Sequence, residues 1–461
     1  MPLMRTAVNL ACRLHAPVSL LQNGFHRASY RCFLVTCIMT CAVPALGEIV
    51  SASAADRRSQ APALAVTSDG TVHVIWFDKG ATGEADRKGD KVRGTHHSHQ
   101  AFADLYYAQW RPEQHGFSPS VRVNPSQGQV WGFSISRPVI AVDGADRIHI
   151  SYPGNGTSPE TGKSVASSFY TRSENGGQQF ETPMQLNRDP EEDLSALIMG
   201  GLAQAQVFTG MAVSQQGAVH TFWLDTRGMT ESMRAALYYR RSDDGGNQFG
   251  DEARLLENDQ CPCCQVSAVT EGEDSLYVAA RQIKGDNIRT PTVMRSSNGG
   301  NSFQKPVETG GTPWRLVGCP LKLIAMATTT DRLHTLVHNG AEQPPGLLYT
   351  YSSNDQSAFA PPLKIHPEAA VSDSPALASD GDTLLAVWHA KVDGPRRIFY
   401  RFSLDGGEHF LPVQKLDTGE ASVGYPAVAV APDGRFFLAW QADEVIQVTP
   451  VAPPVMSTVS R

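Results

Sequence analysis

The sequence predicts an all-β protein folded as a single β-propeller of seven four-stranded blades, with six blades as the alternative. Three observations carry this. A hairpin signature built on Asp or Asn followed by Gly-Gly recurs along the chain, apolar segments that begin at a proline or its equivalent recur between its copies, and runs of period-two alternation follow those segments.

Within one repeat, the first strand is expected at Pro62–Val66, Pro138–Val142, Gly210–Val213, Gln265–Val269, Pro320–Ile324, Pro375–Ala378 and Pro426–Val430. An Asp-Gly type turn such as Asp69-Gly70 or Asp433-Gly434 leads to the second strand, for instance Val72-His73-Val74-Ile75-Trp76 or Val219-His220-Thr221-Phe222-Trp223. A tyrosine- or arginine-bearing third strand, such as Leu237-Tyr238-Tyr239-Arg240, then runs into the hairpin signature. Clear copies stand at Ser173-Glu174-Asn175-Gly176-Gly177, Ser242-Asp243-Asp244-Gly245-Gly246, Ser296-Ser297-Asn298-Gly299-Gly300 and Ser403-Leu404-Asp405-Gly406-Gly407, closed by Phe180, Phe249, Phe303 and Phe410. A worn copy has Gln356 in place of a glycine, and a faint one ends at Gly116-Phe117. In each clear copy the Asp or Asn side chain can bond nearby backbone N–H groups and the glycines can take positive φ.

The expected first strands outnumber the hairpin signatures by one, because the chain after Pro426 holds material for only three strands. Glu48-Ile49-Val50-Ser51-Ala52 is expected to supply the fourth, closing the sheet ring and leaving no open edge. With strands running down, up, down and up, the signature turns fall on the bottom face. First-strand starts and second-to-third-strand loops gather on top, where a binding site is expected.

Of 461 residues, 18% are charged, 40 are glycine and 30 proline, and the formal charge is −7, all of which fit a turn-rich soluble chain and make nucleic acid an unsuitable partner. Residues 1–47 read as a secretory leader. The apolar run Cys32–Gly47 follows Arg27 and Arg31 and is too short to span a bilayer, and Ala45 and Gly47 place small residues where a signal peptidase needs them. Cleavage before Glu48 leaves residues 48–461 as the propeller, with no transmembrane segment, in the periplasm or outside the cell. Cys12, Cys32, Cys37 and Cys41 depart with the leader, and Cys261, Cys263, Cys264 and Cys319 remain.

The signature, Ser-x-Asp/Asn-x-Gly with a closing aromatic, resembles the Asp box (BNR repeat) of the sialidase or neuraminidase superfamily, with Phe for the usual Trp and the Thr position kept only as Ser302. The resemblance implies that Asn175, Asp244, Asn298 and Asp405 stabilise turns rather than perform chemistry. Sialidases bind a carboxylate with three arginines, use a tyrosine activated by a glutamate as nucleophile, and an aspartate as acid/base. Arg137-Pro138 is similar to the Arg-Ile-Pro start of that family but lacks the intervening residue, and Asp225-Thr226-Arg227 resembles its acid-plus-arginine segment. Asp225 is therefore the catalytic candidate, and Arg137 and Arg227, with Arg281, Asp286 and Arg289 from a neighbouring top-face loop, are the candidate ligand-binding residues. No tyrosine and glutamate match; of Tyr349, Tyr351 and Tyr425, the first two read as interior residues of a third strand.

The topology also sends to the top face the loop Asp78–Asp104 with His96, His97 and His99, the residues Arg281, Asp286 and Arg289, and His338, His389 and Arg396. Cys264 and Cys319 stand at equivalent positions one residue before neighbouring first strands, so all four thiols are expected near the channel mouth. Two disulfides tying adjacent blades, a copper or zinc thiolate site, and a thiol redox site are the readings. The segment from Cys261-Pro262-Cys263-Cys264 through Gly318-Cys319-Pro320 looks like a form recurring in bacterial sialidase-like proteins, which implies that Arg281, Asp286 and Arg289 lie beside the cysteines.

The leading expectation is an exported propeller that binds a glycan or other small anionic ligand on its top face. An exo-sialidase or related glycosidase, and a metal-binding or thiol-redox protein, are the alternatives.

Overall fold

The computed structural model describes residues 46–461 except 82–101, 112, 158–161, 163, 188–207, 227–233, 344, 354, 356–357, 369–370, 393 and 455–461. The described secondary structure is β-strand throughout, in a propeller-type succession of antiparallel meanders. One meander joins Arg57–Val66, Val72–Ala81 and Phe102–Trp110; the same three-strand plan recurs down the chain to Val423–Val430, Phe436–Ala442 and Val445–Val451. Most carry a short outer strand such as Met184–Gln185 or Gln414–Lys415. For the last meander that strand is Val50–Ser51, whose Val50 pairs with Val448 and whose Ser51 pairs with Gln447. A feature the periodicity did not signal is that Val130–Trp131 pairs with both Phe102–Trp110 and Ile148–Thr157, fusing two meanders into one sheet.

Both faces of each sheet are covered, so the second strands are apolar on both sides: every residue of Val219–Asp225 is buried. Trp76, Trp223, Trp388 and Trp440 end equivalent runs and are fully buried. Removing such a ring from water is worth about 2–3 kcal/mol. The apolar clusters lie between sequential neighbours, and one of them joins Leu64, Val74 and Trp76 to Phe437, Ala439 and Val448, packing the first meander on the last.

The four clear signature turns share one bonding scheme. In one of them Ser242 Oγ donates to Asp244 Oδ1 at 2.7 Å and accepts the Gly246 N–H at 2.9 Å, while Asp244 Oδ1 accepts the Gln248 N–H at 3.0 Å. Asn175, Asn298 and Asp405 occupy the same place and accept the N–H groups of Gln179, Ser302 and His409. Each turn also docks on the preceding meander, where a second-strand histidine is bonded to a third-strand tyrosine. The pairs are His73–Tyr107, His149–Tyr170 and His334–Tyr349 at 2.7 Å, and His220–Tyr239 at 2.8 Å. The tyrosine edge meets the closing phenylalanine of the next turn, as in Tyr170–Phe249 with ring centroids 4.9 Å apart. Its hydroxyl occupies the space beside the second glycine, where a Cβ on Gly246 would lie 1.7 Å from Tyr170 Oη.

Candidate functional site

The first strands line an axial channel of about 240 Å³, walled by Pro62, Pro138, Gly210, Val266, Ile324, Pro375 and Ala427 among others. This is smaller than the roughly 300–1,000 Å³ of an ordinary small-molecule pocket, so a ligand larger than a few waters belongs at the mouth. There the strands bulge. Ala61, Ser374 and Tyr425 have φ of 54°, 51° and 55°, each immediately before a proline, and the ladders shift register between Gln60 and Ala63, Asp373 and Ala376, and Gly424 and Ala427. Such a left-handed conformation is strained for a side-chain-bearing residue, and bulges of this kind re-aim side chains.

The groups so placed form a polar rim. Arg137 lines the channel and is 8% exposed; Nη1 donates to Pro426 O at 2.6 Å, while Nε and Nη2 have no partner among the described residues. Gln265 fixes its backbone, accepting the Arg137 N–H at 3.0 Å and donating to Arg137 O at 2.8 Å. Burial lowers the Arg137 guanidinium to about 10, against the opposing pull of Asp373 and Tyr425, so it stays charged at neutral pH. Asp373 is ion-paired with Lys322. Burial alone would raise Asp373, but Lys322, His338 and His389 hold it below the usual carboxylate range. Arg396 lies over the Tyr425 ring, 5.4 Å from its centroid.

Two buried imidazoles complete the rim. Burial lowers His338 to about 4 and His389 to about 3, so both are neutral at pH 7. His338 Nδ1 lies 3.0 Å from Ser372 O and must donate, leaving Nε2 bare, whereas His389 Nδ1 accepts the Tyr425 N–H at 3.1 Å, leaving the proton on Nε2.

The cysteines gather beside this rim, sharing Lys322 with it through its backbone N–H and its ion pair with Asp373. Cys261, Cys263 and Cys264 are buried and Cys319 is exposed, and all four stand as thiols. Sγ of Cys261 lies 3.5 Å from that of Cys264 and 3.7 Å from that of Cys263, and Cys319 stands near enough to Cys263 and Cys264 to act on their ionisation. Hydrogen bonding to Cys263 favours a Cys261 thiolate, but Cys264 and burial outweigh it and push this thiol up; burial does the same to Cys263. Burial also opposes ionisation of Cys264, yet Cys261, Cys263 and the charge of Arg281 pull it well below the usual thiol range.

Arg281 and Arg289 stand beside the cysteines, as the resemblance implies. Arg281, 2% exposed, donates to Arg289 O at 3.4 Å and His338 O at 3.2 Å, and Arg289 Nε donates to Leu316 O at 3.1 Å. Asp286 pairs with Arg315 at 2.7 Å with both side chains largely in solvent. Asp225, the catalytic candidate, is fully buried and accepts the Trp223 indole N–H at 3.1 Å. Tyr349 is interior, as expected. Arg227, His96, His97 and His99 lie outside the described residues. Lys322 and Asp373 went unnoticed because their pairing spans 51 residues; the one available signal was the repeated residue-proline step beside Asp373.

A family model described as a BNR repeat-like domain matches residues 100–438. No curated protein matches the sequence. Among solved structures, the polysaccharide lyase PL25 ulvan lyase bound to GlcA(1-4)Rha3S is similar at TM-score 0.54 and 14% identity, over 85% of this chain and 94% of that one. A protein of unknown function from Dyadobacter fermentans DSM 18053 is similar at TM-score 0.51 and 15% identity, over 77% of this chain and 97% of that one. The Hadza microbial sialidase Hz136 is similar at TM-score 0.46 and 16% identity over 68% of this chain, which spans only 65% of the sialidase. At these identities the likeness is one of fold.

Proposed function

The chain belongs to the BNR repeat-like domain family, of sialidase-like fold, and on that footing we propose that it is an exported seven-bladed propeller, completed by Val50–Ser51, that binds an anionic carbohydrate at its channel mouth. The carrying observation is Arg137, a buried guanidinium lining the channel with two N–H groups unpaired among the described residues. A carboxylate or sulfate ester presents two oxygens to such a fork and makes charge-assisted hydrogen bonds there. The rim supports the same sign of ligand: Arg137, Lys322 and Arg396 stand there with Asp373, in a chain whose net charge is −7. A local positive field on a negative protein steers small anions to that face. Packing of the first meander on the last supports the blade count, and the ulvan lyase of similar fold was solved with a uronic-acid sugar.

The test is titration calorimetry with uronic-acid and sialylated oligosaccharides against neutral ones of equal length. Acidic sugars are expected to bind and neutral ones not, and Arg137→Met should weaken binding by about 10- to 100-fold, the worth of hydrogen bonds to a charged group. Thermal unfolding of the variant serves as the folding control. Silence toward every acidic sugar, or equal affinity in Arg137→Met, would overturn the reading.

A second reading, cleavage of the glycan at the same mouth, is favoured by the opposite tautomers of the neutral imidazoles of His338 and His389, which offer a proton acceptor and a proton donor. It predicts turnover of an acidic polysaccharide that His338→Gln lowers by about 100-fold or more without changing affinity; absence of any turnover in the wild type removes it. Asp225 has no part in either reading.

A further inference from the structure

We propose that Cys261, Cys263, Cys264 and Cys319 hold one zinc ion in a tetrahedral thiolate site that ties together two successive meanders. The spacing of the sulfurs carries the proposal. Sγ of Cys261 is 3.5 Å from Cys264 and 3.7 Å from Cys263, and the three sulfurs all lie within 4.8 Å of one another. A tetrahedral ion with Zn–S bonds of about 2.3 Å separates its sulfurs by about 3.8 Å, whereas a disulfide needs about 2.05 Å. The turn that gathers the first three is fixed by its own backbone, with Cys261 N–H donating to Arg281 O at 2.7 Å. Cys319 arrives from the segment before the next first strand, acts on the ionisation of Cys263 and feels the charge of Cys264, and alone of the four is exposed, so it is the corner that closes over an entering ion.

Charge balance points the same way. Four thiolates around one divalent ion carry a net charge of −2, which is costly to bury without nearby cations. Arg281 and Arg289 supply two guanidiniums, 2% and 8% exposed, with Arg281 in electrostatic contact with Cys264 and Arg289 with Cys261 and Cys319. Arg281 Nε has no partner among the described residues. The backbone N–H of Lys322 bonds to Cys264, the kind of outer contact that orients a metal thiolate. Zinc suits a closed all-sulfur tetrahedron, and as a redox-inert ion it would protect an exposed thiol from oxidation outside the cytoplasm.

The experiment is elemental analysis and thiol titration of the full chain purified without added metal, then repeated after incubation with equimolar zinc. One zinc per chain is expected, released when a mercurial blocks the thiols, with the cobalt-substituted chain showing the intense thiolate-to-metal and ligand-field bands of tetrahedral sulfur coordination. Cys264→Ser should lose the ion. Cys319→Ser, changed at an exposed position that the fold tolerates, should weaken zinc at least tenfold and alter the cobalt spectrum even if Cys264→Ser fails to fold. Four oxidised cysteines without metal, four free thiols that ignore zinc, or uptake of copper with zinc excluded would each overturn the proposal.

Discussion

Gly246→Ala is expected to destabilise the protein by roughly 2–5 kcal/mol, a large part of the stability of an ordinary domain. Two costs add. The residue has φ of 86°, where a Cβ costs roughly 1–2 kcal/mol. The new methyl would also sit 1.7 Å from Tyr170 Oη and 2.5 Å from its ring. Tyr170 cannot withdraw, because it is 2% exposed, bonded to His149 at 2.7 Å and packed edge-on against Phe249. Overfilling such a site costs about 1–3 kcal/mol more. Gly176→Ala, in the equivalent of the first glycine of the same kind of turn, is the control: φ is 66° but nothing lies within 4 Å of its Cβ position, so only the backbone cost of roughly 1–2 kcal/mol remains. Denaturant midpoints of the two variants decide the matter. If they fall equally, the tyrosine does not require the second glycine.

Acid should unfold the protein between about pH 6.5 and about pH 4, beginning well above the range in which carboxylates titrate. Burial lowers His73 and His220 to about 4 and His334 to about 3. In the folded state each is a neutral imidazole; in the unfolded chain each takes up a proton near pH 6.5. The unfolded state therefore binds more protons as pH falls, so the stability these residues confer is complete above about pH 6.5 and is lost on the way down to their folded values. Each shift is worth on the order of 3 kcal/mol, and together they rival the whole stability of a typical domain. Unfolding midpoints should fall steeply from pH 7 to pH 4.5, and His220→Asn should flatten that slope at some cost to stability at pH 7. A midpoint constant across this range would show that the buried histidines are already protonated in the fold.

What the sequence revealed and what it concealed divide along the range of the interaction. The signature turns were legible because their bonding is local: Ser242, Asp244 and Gly246 sit within five residues, and the same chemistry repeats at three other places. The reason for the second glycine was not, since it belongs to a tyrosine about 70 residues upstream, as with Tyr107 and Gly177. Equivalent positions in the repeat placed Cys264 and Cys319 near each other, and each bears on the other's surroundings electrostatically. Arg137 was legible as a top-face residue, but its burial and its unpaired N–H groups depend on Pro426 and Gln265 far along the chain.

The pairing of Val50–Ser51 with Val445–Val451 has a mechanical consequence. Val50 pairs with Val448 and Ser51 with Gln447, so the chain before Val50 and the chain after Val451 leave this ladder at the same end. Tension applied through the two tails would load its hydrogen bonds one after another, peeling the strands apart like a zipper instead of shearing the ladder at once. Under tension applied there, unravelling would begin at that seam while the turns stapled by tyrosine remained intact.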